Sequence, residues 1–182
     1  MNMGKQLKTI TEPLKAFIEQ QQMFFVATAG IDGTVNVSPK GIASLKVLNE
    51  NRVIWLNLTG SGNETAAHVL EQNRMTLMLC SFDKNPMILR LYGTARFYQP
   101  GDEEWGQLIR QFPGLPGGRQ VFDVSIDLVQ TSCGFGVPRY QYEGQRDTLI
   151  QWAEKKGEEG IREYQEEKNQ LSLDGKPTGL KR

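Results

Sequence analysis

A chain of 182 residues suits one domain with a sizeable core, with or without appended helices. Lys and Arg together number 21, as do Asp and Glu, and a formal net charge of zero argues against a mainly electrostatic partner such as nucleic acid or a membrane surface. Aromatic side chains at 9% argue against wholesale disorder, and two cysteines, Cys80 and Cys133, make no disulfide framework. The opening MNMGKQLKTI lacks the apolar centre of a signal peptide, and no apolar run approaches a membrane span. A cytoplasmic protein is the expectation.

In chain order, Thr11-Glu12-Pro13 marks a helix start, and Leu14, Phe17 and Ile18 form its apolar stripe. Met23–Ala29 reads as a strand, Asp32-Gly33 as a hairpin turn, and Val35–Ser38 as the returning partner. Pro39 ends or edges that strand, and Lys40-Gly41 follows. After a turn at Asn49-Glu50-Asn51, Val53–Leu58 has the β-branched, aromatic and apolar make-up of a buried strand. Gly60 and Gly62 allow a sharp turn, and Ser61 and Glu64 stand at capping-box spacing ahead of a helix carrying Ala66, Ala67, Val69 and Leu70.

Met75–Phe82 is nearly all apolar, which predicts a strand covered on both faces. Met87–Tyr98 is long enough for a barrel strand, with Gly93 marking a bend or a close backbone approach. Asp102–Phe112 reads as an amphipathic helix with Trp105, Leu108, Ile109 and Phe112 on one face. In Val121–Val129 the alternation puts Phe122, Val124, Ile126 and Leu128 on the apolar side, and Val121, Asp123, Ser125, Asp127 and Val129 on the other. Beyond Cys133–Pro138, Arg146–Lys156 and Glu158–Asn169 read as two polar helices parted by Gly157, and Ser172–Arg182 as a loosely held tail. Antiparallel strands with few helices between them predict a mainly β, α+β fold built on an antiparallel barrel with peripheral helices.

The turn after the central strand is the first candidate site. A helix start carries unpaired N–H groups and a partial positive charge, and Thr59, Ser61, Asn63 and Thr65 add hydroxyl and amide groups beside it, which suits a phosphate. The alternative is a capped helix with nothing bound. The turn lacks the Gly-Lys-Ser/Thr of a nucleotide-triphosphate loop and the three glycines of a dinucleotide fingerprint. One histidine, His68, leaves almost no material for a metal cluster or a catalytic triad, and a structural role is expected for it. Lys40 is either a solvated loop lysine or a long cation reaching over a sheet end. Arg90, inside the apolar MILRLYG, either points outward or pairs with a carboxylate or a bound anion. Cys133 sits among glycines with no adjacent His or Lys to activate it.

Four stretches taken together, VNVSPKG (Val35–Gly41), LTGSGNETAAHVLEQNRMTLMLCSF (Leu58–Phe82), ILRLYGTAR (Ile88–Arg96) and QTSCGFGVP (Gln130–Pro138), resemble the pyridoxamine 5′-phosphate oxidase-related, FMN-binding family. The tail ending PTGL looks like that of one branch of it. The resemblance implies a split β-barrel over residues 1–140 with a helical extension over 141–182, a homodimer, and FMN at the subunit interface. It implies cofactor contacts from Val35, Val37, Ser38 and Lys40 along one strand, from Leu58 and Thr59 at the next strand end, and from Ser61, Asn63 and Thr65 at the helix start, with Arg90 a further cation. It also implies an oxidoreductase working on a small molecule with electrons from a nicotinamide donor. A flavin carrier or sensor, and a deazaflavin user on the same barrel, are the alternatives.

The chain departs from the oxidases themselves in two places. Asn63-Glu64-Thr65 stands where they carry Ser-Arg-Lys for the phosphate, and no Arg-x-His motif for their substrate is present. Pyridoxamine phosphate oxidation is therefore not expected. Neither is the haem degradation of related proteins, which takes a histidine near the C-terminus. No general acid, base or metal ligand is named.

Overall fold

In the computed structural model, which describes residues 4–181, the elements are β1 (Lys5–Leu7), α1 (Glu12–Gln20), β2 (Phe24–Thr28), β3 (Asn36–Lys40), β4 (Leu45–Asn49), β5 (Arg52–Leu58), α2 (Glu64–Glu71), β6 (Arg74–Cys80), β7 (Ile88–Tyr98), α3 (Trp105–Ile109), β8 (Gly118–Ser132) and α4 (Thr148–Lys168). The strands form one antiparallel sheet in the order β3-β2-β6-β7-β8-β5-β4, with β1 added beside β8. Hydrogen bonding stops at β3 on one side and β4 on the other, so the barrel is split. That is the fold class expected from the sequence.

The inner faces of β2, β5, β6, β7 and β8 share one core with α1 and α2. Trp55 lies at its centre, stacked on Phe122 with centroids 4.4 Å apart and edge-on to Phe24. Each such side chain contributes about 1.5–3 kcal/mol relative to exposure. A second cluster, Ile54, Leu56, Leu108, Phe112 and Val121, sits on the other face of β5 under α3. Because β5 is covered on both sides, Val53 to Asn57 are all buried. The buried central strand read from Val53–Leu58 is therefore present.

Several sequence expectations need correction. β6 is covered on one face only: Met75, Leu77 and Leu79 are buried, while Thr76 and Met78 are half-buried on the outer side. The alternation of β8 holds through Ile126 and then reverses, because Leu128 pairs with Tyr92 and Ile126 with Gly93, leaving Asp127 as the extra residue of a bulge. Val129 is consequently in the core and Leu128 outside it. Gly93 meets the expectation of close approach, since a Cβ there would fall onto the Ser125 carbonyl oxygen. The helix read as Asp102–Phe112 shrinks to α3. Asp102 instead accepts a hydrogen bond from the Gln99 N–H at 2.7 Å and holds a turn.

The C-terminal segment departs most from its reading. α4 starts at Thr148, not Arg146, and breaks at Gly157, whose φ of 68° is non-helical, as the two-helix reading had it. The tail is not loosely held. Thr178 is fully buried and donates to the Asn169 carbonyl at 2.6 Å, and Leu180 is buried. Asp174 accepts from Thr34, and Lys176 bridges Asp32 and Glu71 at 2.5 and 2.7 Å. These bonds strap residues 169–181 across α2 and the β2–β3 turn. β1 also escaped the sequence reading, being only three residues long and defined by its pairing with Val129–Thr131.

Candidate functional site

The strap, the end of β5, the start of α2 and the edge strand β3 enclose a cleft of about 650 Å³. α2 begins at Glu64 with Asn63 as its cap, and neither Ser61 nor Asn63 makes a side-chain capping bond. The expected Ser61–Glu64 capping box is absent because the helix starts two residues later than a Ser61 cap requires, and the side chains of Asn63 and Glu64 are engaged elsewhere. Glu64 accepts the Leu173 N–H at 2.8 Å, and the Asn63 Oδ1 accepts from the Asn57 Nδ2 at 3.1 Å.

The sequence reading missed the residue at the centre of the cleft, Arg119. In the β5–β8 ladder Asn57 faces Gln120 and Leu58 faces Gly118, so Arg119 is the extra residue of a second bulge. A bulge re-aims a side chain, and this one turns a guanidinium inward where it is 3% exposed. Its Nη2 donates to the Gly62 carbonyl at 2.6 Å and to the Asn57 Oδ1 at 3.5 Å, and its Nη1 donates to the Asn169 Oδ1 at 2.6 Å. Lys40 comes from the opposite wall. Its Nζ donates to the same Asn57 Oδ1 at 3.4 Å and lies 5.4 Å from the centre of the Trp55 ring.

Two cations thus converge on one neutral oxygen, and neither is hydrogen-bonded to a carboxylate. Burial, and then the charge of Arg119, push the Lys40 ammonium down to about 8. Burial pushes Arg119 down to about 10, against the opposing pull of Tyr164 and Glu64. Among the described residues, Arg119 Nε, Asn63 Nδ2 and Gln120 Nε2 are buried donors without a partner. A buried donor left unpaired costs about 1–3 kcal/mol. Two cations without a hydrogen-bonded carboxylate, set against the single carboxylate of Glu64 in the lining and joined by spare donors at a helix start, form the electrostatic complement of an anion.

The other residues singled out from the sequence are spread more widely. Ser38, Lys40, Leu58, Ser61, Asn63 and Thr65 line the cleft. Ser38 donates to the Asn36 Oδ1, and Asn36 in turn to the Thr65 hydroxyl. Thr59 stands behind the wall, 1% exposed, bonded to the Gly117 carbonyl and to Gln165 of α4. Val35 and Val37 point to solvent, 69% and 60% exposed. Arg90 lies outside the cleft on the outer face of β7, half-buried and bonded to the Ser132 hydroxyl at 3.2 Å. His68 is buried and bonded through Nδ1 to Thr28, consistent with a structural role. Cys80 is buried, which pushes its thiol up. Among the described residues no group of His, Cys, Asp and Glu is placed to hold a metal.

Residues 10–133 match the family profile described as pyridoxamine 5′-phosphate oxidase. A pyridoxamine 5′-phosphate oxidase family protein of Aspergillus flavus, ustO, is 35% identical over 190 residues, covering 93% of this chain and 76% of its own. Among solved structures, a pyridoxamine 5′-phosphate oxidase-like protein of Lactobacillus delbrueckii superposes with a TM-score of 0.57 at 19% identity, covering 70% of this chain and 98% of that one. The FAD binding protein of Mycobacterium smegmatis superposes with a TM-score of 0.50 at 15% identity, covering 69% and 96%. At those identities the structures speak to the fold alone. The family profile and the fungal relative carry the assignment: the chain belongs to the pyridoxamine 5′-phosphate oxidase family.

Proposed function

We propose that this protein is a flavoprotein that holds FMN by its phosphate in the cleft and acts as an oxidoreductase on a small molecule. The observation that carries the reading is the pair of cations, Lys40 and Arg119, meeting at Asn57 with no hydrogen-bonded carboxylate and with unpaired buried donors around them. Such a site is built for an anion, and the family supplies the flavin phosphate as the candidate. The FAD-binding neighbour is consistent with a flavin in general.

In this reading Arg119 and Lys40 neutralise the phosphate, replacing the cations missing from Asn63-Glu64-Thr65. Asn63 and Thr65 offer further polar contacts from the start of α2. The bound flavin supplies hydride and electron transfer at its ring. Asn57 fixes both cations in place, and Asn169 orients Arg119 from the C-terminal strap.

The same reading includes a homodimer. In the single chain the outer face of β2, β6 and β7 leaves Phe25, Ala27, Met78 and Tyr92 half-buried, beside the exposed Val37 of edge strand β3. A second copy would cover that face, and a flavin bound along β3 would then lie at the junction.

Mass analysis of the ligand released from purified protein, with its visible spectrum, tests the assignment. FMN in near-stoichiometric amount is the expected result, and a deazaflavin, FAD or no flavin would contradict it. Steady consumption of a nicotinamide donor with an added acceptor separates an enzyme from a carrier or sensor.

A further inference from the structure

Two cavities meet at the end of β3. Beside the anion cleft lies a larger one of about 990 Å³, and Pro39 and Lys40 line both. Its aromatic walls are Phe82, Tyr140, Tyr142 and Trp152, with Met23 and Leu149 adding apolar surface. Three of the rings, Phe82, Tyr140 and Trp152, are held by contacts of their own. Phe82 and Tyr140 lie 5.4 Å apart at 37°, joined by a backbone hydrogen bond from the Tyr140 N–H to the Phe82 carbonyl. Trp152 meets Tyr164 edge-on at 5.1 Å, and the Lys156 ammonium lies against both.

Charge in this cavity is balanced, with Lys40 and Arg146 set against Asp83 and Glu143. Much of the remaining polar lining is amide, from Gln20, Gln21, Gln22 and Gln145 among others. Such walls reward stacking and neutral hydrogen bonds and select no charged ligand.

The wall next to Lys40 is also strained. Ile42 and Ala43 hold φ values of 58° and 52°, a left-handed conformation that a β-branched residue rarely adopts. Each such residue costs on the order of 1–3 kcal/mol unless its surroundings fix it. Here the Ser44 hydroxyl donates to the Gly41 carbonyl at 2.6 Å. Gln145 accepts the Ile42 N–H at 3.4 Å and donates to the Gln22 carbonyl at 3.0 Å. One glutamine therefore ties the segment bearing Tyr140 and Tyr142 to the strained turn beside Lys40.

We infer that this cavity is the substrate side of the site and takes a planar, uncharged ligand of two or three fused rings, quinones included, held by stacking on Tyr140, Tyr142 and Trp152. The ligand class follows from the walls; the label of substrate rests on the flavin reading. Residues 140–152 lie beyond the region that matches the family profile. Specificity would then be written in the C-terminal extension of this chain.

The test is a fluorescence titration of the full-length, FMN-loaded protein with menadione, using cyclohexanol as the non-aromatic control. Saturable quenching by menadione alone is expected, largely abolished in Trp152→Phe. Tyr142→Ala, at an exposed position that the fold does not depend on, should weaken menadione about three- to tenfold and leave FMN affinity unchanged. No saturable quenching, or affinity indifferent to Tyr142→Ala, would overturn the inference. Release of FMN by menadione would also overturn it, since the cavity would then belong to the cofactor's ring. A protein that binds menadione and no FMN would overturn the flavin reading, and the substrate label with it, while the cavity's ligand class stood.

Discussion

At the scale of single residues, the burial that lowers the Lys40 pKa should make anion binding in the cleft sensitive to pH. The folded Lys40 pKa of about 8 lies below the ordinary 10.5, so between these values the unfolded chain binds more protons than the folded one. Stability of the anion-free protein therefore rises with pH across that window. A bound phosphate favours the ammonium and raises its pKa, so binding takes up a proton above about pH 8 and affinity falls as pH rises. Denaturant unfolding and FMN titration at about pH 7 and about pH 9.5 check both signs, and Lys40→Met should flatten both slopes. An FMN affinity that did not change over that range would remove Lys40 from the phosphate site.

The contiguous part of the site was legible in the sequence, because Ser38, Lys40, Ser61, Asn63 and Thr65 fall in two short motifs around a turn and a helix start. Arg119 and Asn169 were not. They reach the cleft only through the β5–β8 register and the strap, more than 50 residues from Lys40 in the chain. The available signals were Asn57, a lone amide inside VIWLNL, and Arg119, a charge at the start of a strand whose first half is buried. Each asks for a buried polar partner.

At the scale of elements, the strap after α4 is a structural member of the site. Its place at the end of the chain is what predicts a loose tail. Its stability comes instead from side-chain partners on α2 and the β2–β3 turn, and a local reading cannot supply these. Asn169 is fully buried and accepts from Arg119 while donating to the Gly60 carbonyl at 3.0 Å. Asn169→Ala leaves both groups short of a partner and should cost about 1–3 kcal/mol in unfolding free energy. It should also weaken FMN binding, because Arg119 loses its fixed orientation. A loss under about 0.5 kcal/mol, typical of surface changes, would show that the strap merely lies over the cleft. The reversed alternation in β8 has the same origin as the missed Arg119. Bulges at Asp127 and Arg119 break a period that the sequence alone carries forward unbroken.

At the scale of the whole molecule, the expectation that Met75–Phe82 is covered on both faces fails for one chain, and a second copy is what would restore it. Met78 stands near the middle of the half-covered outer face of β6, paired with Phe25 and Arg90. Light scattering should give twice the mass of one chain, and Met78→Glu should shift the protein to the monomer and weaken its flavin binding in the same step. A monomeric wild type that bound FMN fully would sink the interface reading. Arg90, outside the cleft of its own chain, lies on this face, so a role toward the cofactor would have to act across the interface.

The proposed function stands on Lys40 and Arg119 holding a phosphate. Calorimetric titration of the flavin-free protein with FMN and with riboflavin, which lacks the phosphate, tests it most directly when repeated on Arg119→Ala. Hydrogen bonds to charged groups contribute about 1.5–3 kcal/mol. FMN should therefore bind roughly tenfold to a hundredfold more weakly to Arg119→Ala, while riboflavin binds the variant and the wild type alike. Equal losses for the two flavins, or none for FMN, would contradict the account.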